Sequence, residues 1–401
     1  MQLLDKYLAY WPVLAASLLF LLLGLWWRIS SARAMELSPK KSDWVKRYRS
    51  GGFPFRQVLP AHPRLRFWAL LLVILPAAAF AAVQLANISM TYLNSPGYLF
   101  NFSYGPFRVI LFAVGAISVY FLLNTMFDSA WVSLPGALIF AASVARGHAE
   151  SCFLALSLLF LLLYLRAEKA GFPAELLYLC AILALAPMIA LRPALVWLVL
   201  CFPPVHWYKL LFQRRTRQLS GGANLLALLI ALLCWALVFA LTVLLRRYLM
   251  FGFRIDAALH LLEPARFCNA CSQLLRDFSG VLFKAPTPGM TIDLMVDAPL
   301  FGFGLWGFFS AWTLAKERRD ARGVFALVTL IVLLIVWLIT GRYILTLGLT
   351  LTTACVLHDA DLGKKRVSVI LMTLLAILWY LGIQTAGWYF PLNKGLLERL
   401  V

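Results

Sequence analysis

Charge is scarce in this chain. Of its 401 residues only 13% are Asp, Glu, Lys or Arg, and 63% are hydrophobic. An average soluble domain carries about 25% charged and about 45–50% apolar residues, so a water-soluble fold is excluded. Acid is scarcer than base, 17 residues against 36. Histidine is sparse too. His148, His206 and His260 show neither HExxH nor any other paired-ligand spacing, so no metal signature is present. There is no repeat of fixed period and no low-complexity tract. The alternating segments of about ten residues that mark a transmembrane barrel are missing as well. The first stretch also lacks the marks of a cleaved signal. It opens with Asp5 and Lys6, has no basic cluster before its apolar core, and ends in Trp26-Trp27-Arg28 instead of small residues.

What the chain does have is apolar length. Mean hydropathy is +0.85, and runs of about 18–20 largely apolar residues recur, enough to cross ~30 Å of hydrocarbon as helix. Lipid gives the backbone no hydrogen-bond partner, so each run is expected to be helical. The fold class is therefore all-α, a polytopic transmembrane bundle of about twelve spans. They are expected at Tyr10–Trp27, Phe67–Leu85, Phe107–Asn124, Trp131–Ser143, Cys152–Leu165, Leu176–Leu191, Ala194–Trp207, Asn224–Leu245, Pro299–Leu314, Val324–Thr340, Tyr343–Leu357 and Val367–Thr385.

Most of the basic residues fall on one side of this topology. They crowd the loop from Arg28 to Arg66, then recur at Arg166 and Lys169, at Lys209 to Arg217, at Lys316 to Arg322, and at Lys364 to Arg366. The positive-inside rule places that side in the cytoplasm and both termini outward. The expected location is a bacterial cytoplasmic (inner) membrane. The net charge of +19 then reflects topology and anionic lipid, and no basic water-soluble module points to nucleic acid. Residues 1–66 form a first span plus a basic cytoplasmic loop. The loop, 28–66, reads as an interfacial helix, as a solvated topogenic loop, or as a docking surface for a protein partner. Residues 67–401 form one membrane domain with a large outer loop at about 246–298, long enough to carry short helices and function.

Chemistry is expected on the outward face. Arg146-Gly147-His148-Ala149-Glu150 stands between two spans, where ionisable groups are costly unless they meet water, protein or ligand. Arg146 and Glu150 are four apart, so they pair with each other on a helix face or line a polar cavity. In the cavity Glu150 is an acid, base or metal ligand, and Arg146 and His148 bind an anion. Arg192 and Arg342 interrupt apolar stretches at the same face, and either snorkel to headgroups or grip a phosphate bidentately. The charges of the outer loop, Asp256, Glu263 and Asp297 among them, read mainly as a solvated surface. Cys268 and Cys271 form a CxxC there, and an oxidising outer compartment favours a disulfide.

From Phe67 onward the order of features resembles the GT-C superfamily of membrane glycosyltransferases, including its protein mannosyltransferase and aminoarabinose transferase branches. The likeness rests on the outer loop Asn87–Pro106, the Arg146-x-x-x-Glu150 turn before an apolar span, Leu191-Arg192-Pro193, the large outer loop, and Gly341-Arg342-Tyr343-Ile344-Leu345 before a late span. It implies transfer of a sugar from a polyprenyl-phosphate carrier. Arg146, Arg192 and Arg342 would hold phosphate, and a carboxylate would serve as base. The first span and its basic loop would be an addition to that fold. The family's base usually lies in the first outer loop, and Asn87–Pro106 holds no carboxylate. Glu150 is then the first candidate, with Asp256 and Glu263 next. Tyr92, Tyr98 and Tyr104 in that loop stack on substrate or form an interfacial belt. No cofactor is identified, and a divalent cation is left open. Two other functions stand beside the enzyme: a non-catalytic subunit of a larger membrane assembly, and a transporter of lipid or solute.

Overall fold

The computed structural model describes residues 107–144, 149–166, 172–191, 297–316, 320–340, 343–363 and 365–386. It also describes residues 18–26 and some isolated helical positions from 15 to 272. Among the described residues there is only helix, turn and short connection. The helices are α1 (Phe107–Phe127), α2 (Ala130–Val144), α3 (Ala149–Arg166), α4 (Phe172–Leu183) and α5 (Leu185–Leu191). They continue with α6 (Ala298–Lys316), α7 (Ala321–Thr340), α8 (Thr346–Leu362) and α9 (Arg366–Ala386). Three of them, at Val109–Phe127, Ala298–Lys316 and Ala321–Ile339, are long and apolar enough to cross a membrane. Shorter apolar helices lie beside them. The expected spans at Phe67–Leu85, Ala194–Trp207 and Asn224–Leu245 fall wholly or largely outside the described residues.

Two of the expected boundaries move for local reasons. The span expected at Leu176–Leu191 is two helices, α4 and α5, parted by a turn at Ala184. Pro187 has no N–H to give the preceding turn, and its ring crowds the carbonyl of Leu183, so the break falls just ahead of it. The span expected from Tyr343 becomes helical only at Thr346, because Tyr343 and Ile344 are not in the helix.

The bundle is built around α8, whose residues from Thr346 to Ala360 are all buried. It packs against α6, α2 and α7. Close approach is essential on the α6 side: a Cβ on Gly307 would stand 2.2 Å from the Thr352 carbonyl oxygen. Small residues at such crossings let two helices gain dispersion contacts where lipid supplies no hydrophobic drive. Helix α1 packs on α2 and α3, and α3 on α4, where Ser157 Oγ donates to the Ala181 carbonyl at 2.7 Å. Helix α2 joins this first group to α8 and α9. Outward of the core, α7 and α9 expose Val324, Val328, Ile335, Leu371, Leu374 and Leu378, an apolar rim suited to acyl chains.

Residues 18–26 are helical and seat on the same core. Phe20 is buried edge-on against Phe303 and Trp379, and Trp306 Nε1 donates to the Leu21 carbonyl at 2.7 Å. A Cβ on Gly302 would meet the Phe20 backbone at 2.7 Å. Residues 18–26, within the expected first span, therefore pack directly against α6 and α9.

Candidate functional site

Chain direction puts the end of α2 and the starts of α6 and α8 at one end of the bundle. At that end a single carboxylate gathers them. Asp297 is the residue before α6, and its carbonyl accepts the Phe301 N–H at 2.9 Å, the first bond of the helix. Its side chain is used differently. Ser143 Oγ of α2 donates to Oδ1 at 2.7 Å, and Tyr380 Oη of α9 donates to the same oxygen. Tyr343 Oη donates to Oδ2 at 2.5 Å, with Thr346 Oγ1 of α8 at 3.4 Å. Asp297 is 1% exposed. An ionised carboxylate offers about four lone-pair sites, and four hydroxyls face them. The starts of α6 and α8 add the positive ends of two helix dipoles, which favour a negative charge at this spot.

The opposite end carries a second polar group. Asp320 precedes α7 and accepts the Arg322 backbone N–H at 2.9 Å on Oδ1, an N-cap bond. The Arg322 side chain returns to the same carboxylate, Nε to Oδ2 at 2.8 Å and Nη2 to Oδ2 at 2.5 Å. Its guanidinium lies 5.6 Å from the Phe127 ring centre, and that ring lies 5.0 Å from His358. Nearby in the chain, Ser129 Oγ donates to Asp361 Oδ2 at 2.6 Å, and Arg366 Nε stands 3.6 Å from Asp361 Oδ1. Arg366 also covers Trp131 at 5.1 Å.

Of the residues singled out from sequence, Glu150 is described. It occupies the first turn of α3 and is half-buried, where a carboxylate meets the favourable end of the helix dipole. Arg146, His148, Arg192, Arg342, Tyr92, Tyr98, Tyr104, Asp256, Glu263 and Cys271 lie outside the described residues. Cys268 is exposed, and the Cys271 expected to pair with it lies outside the described residues. Among the described residues no group of three or more His, Cys, Asp or Glu is placed to hold a metal ion.

The residue that sequence reasoning undervalued is Asp297. It stands among the outer-loop charges expected to be solvated, and it is instead buried among four hydroxyls, three from helices and one from Tyr343 just ahead of α8. One signal was available: Asp297-Ala298-Pro299 ahead of an apolar run is an N-cap with proline in the first turn. Nothing local announces its partners. As arranged, the carboxylate has its lone pairs taken, so its present role is to fix the ends of four elements.

No protein family, curated relative or solved structure matches this chain. The likeness to GT-C enzymes therefore stands on the short sequence motifs quoted above.

Proposed function

We propose that the chain is an integral protein of a bacterial cytoplasmic membrane, both termini outward, that handles a polyprenyl-phosphate-linked sugar at the Asp297 end of its bundle. Glycosyl transfer of the GT-C kind is the leading activity. The observation that carries the reading is the convergence at Asp297 of residues next to the arginines expected to bind phosphate. Ser143 precedes Arg146 by three residues, and Tyr343 directly follows Arg342. Both hydroxyls bond the same carboxylate. The starts of α3, α6 and α8 share that end of the bundle, and helix N-termini favour an anion such as phosphate. Glu150, in the first turn of α3, is the acid-base candidate.

The test uses the purified full chain with a polyprenyl-phosphate-linked sugar. Glu150→Gln is expected to lower transfer by about 100-fold, the usual scale for a general acid or base, while leaving carrier binding intact. Arg342→Ala is expected to weaken retention of polyprenyl phosphate about tenfold. Undiminished transfer by Glu150→Gln would remove the catalytic assignment.

A second reading is a non-catalytic subunit of a larger assembly, with residues 28–66 as the docking segment. It is favoured by the missing carboxylate in Asn87–Pro106 and by the engagement of Asp297 with hydroxyl donors. Stoichiometric co-purification of a second chain, with no sugar transfer by the isolated protein, would decide for it.

A further inference from the structure

We propose that the Asp361-facing half of α2 is a hinged flap, turning about Pro135 while its far end is held at Asp297. Three observations on described residues meet in this helix.

The first is the hinge. Pro135 lies inside α2, so it donates no backbone hydrogen bond and its ring crowds the carbonyl of Trp131. A helix is most easily bent at such a point. The second is the surface along which α2 would move. Ser133, Gly136, Ala137, Ala141 and Ala142 are all buried, and a Cβ on Gly136 would meet Leu123 of α1 at 2.4 Å and Leu357 of α8 at 4.0 Å. In the half that would turn, Ala130 to Leu134, the buried side chains are Val132 and Ser133, whereas the bulkier Ile139 and Phe140 lie beyond the proline in the half that stays.

The third is the pair of catches, one at each end. Each is a serine hydroxyl bonded to an aspartate from the other group of helices. Ser143 bonds Asp297, which is 1% exposed and shares its oxygens with Tyr343, Thr346 and Tyr380. Ser129 bonds Asp361, whose side chain is 19% exposed and whose other oxygen faces Arg366 at 3.6 Å. Arg366 reaches back over Trp131, so the second catch is a ring of Ser129, Asp361, Arg366 and Trp131 across the seam. The Arg366 side chain is 58% exposed, and water competes for every charge in that ring. The two catches are therefore unequal. The Asp361 catch releases first, and with a proline between them the motion stops at the middle of α2. Its consequence is access to the seam between α2 and α8 from the side that bears Lys365 and Arg366.

The experiment places a thiol in the seam of the full chain, in lipid nanodiscs, as Ser133→Cys. A membrane-impermeant maleimide is applied, and modification of that peptide is followed by mass spectrometry. Adding Asp361→Ala is expected to raise the labelling rate about tenfold, the loss of roughly one charge-assisted hydrogen bond. Adding Pro135→Ala is expected to slow it severalfold. Ala142→Cys, on the far side of the proline, is expected to stay slow in both backgrounds. Ser129→Ala removes the same catch while leaving every charge in place, and is expected to act in the direction of Asp361→Ala even if that variant folds poorly. Unchanged labelling of Ser133→Cys in Ser129→Ala and Asp361→Ala would overturn the proposal. So would an equal rise at Ala142→Cys, which would mean general loosening, or indifference to Pro135→Ala, which would remove the hinge.

Discussion

The two ends of the bundle solve the same problem with opposite means. At one end of the described helices the buried carboxylate of Asp297 is surrounded by neutral hydroxyls from α2, α8, α9 and the connection ahead of α8. At the other, acids meet bases: Asp320 with Arg322, and Asp361 with Arg366. The Asp297 arrangement is all long-range, with partners 154, 46, 49 and 83 residues away. Asp320 and Arg322 are two residues apart and complete their pair inside one helix start. A local pair fixes its own turn, whereas a shared carboxylate fixes the positions of helices relative to each other. The difference teaches where tertiary structure is decided in this protein. The Asp297 end sets the mutual placement of α2, α6, α8 and α9 through one acceptor, whereas the opposite end combines two local ion pairs with separate long-range contacts, Ser129 to Asp361 and Arg322 to Phe127.

The sharpest way to break this contrast is to remove the shared acceptor. Asp297→Ala is expected to lower stability by about 3–5 kcal/mol, because it leaves several buried hydroxyls without their acceptor at once. Thermal unfolding in detergent, followed by loss of monodisperse protein on size exclusion, measures it. A loss below about 1 kcal/mol would show that the hydroxyls find other acceptors, and that the four elements are placed by packing alone.

The next test separates one bond from the whole. Tyr380→Phe keeps the ring and removes a single hydroxyl donor to Asp297, and is expected to cost about 1.5–3 kcal/mol, the range for a hydrogen bond to a charged group. Ser129→Ala, its counterpart on Asp361, is expected to cost about 1 kcal/mol or less, since water can replace the donor there. Equal effects of the two would erase the distinction between the ends.

Much of this architecture is readable in the chain, and the unread part has a physical explanation. The apolar runs announce α1, α2, α3, α6, α7 and α9 to within a few residues, because lipid permits only helix there. The single span expected at Leu176–Leu191 passes over the break at Ala184, although Pro187 marks it. The closure at Asp297 is different in kind. Ser143, Tyr343 and Tyr380 each look like ordinary polar residues of a span or its margin, and only the packing of α2, α8 and α9 brings their hydroxyls to one point. Asp297 itself was hidden among the charges of the outer loop. Such a site is a property of tertiary contact between residues far apart in sequence, and no window of periodicity contains it.

The smallest effect tests the exposed catch. Arg366 stands 3.6 Å from Asp361, a distance at which an exposed pair contributes about 0–1 kcal/mol and is screened by salt. Its position over Trp131 adds an attraction of comparable size, about 0.5–1 kcal/mol at an exposed site. Arg366→Ala is therefore expected to lower stability by no more than about 1 kcal/mol, with most of the difference from the parent gone at high salt. Arg366→Lys should recover the ion pair and lose the planar stacking on Trp131, so its salt dependence should stay while part of the stability is missing. A salt-independent loss well above 1 kcal/mol in Arg366→Ala would mean that this end is closed as firmly as the Asp297 end. The unequal catches, and the release of α2 at Ser129 before Ser143, would then have no energetic basis.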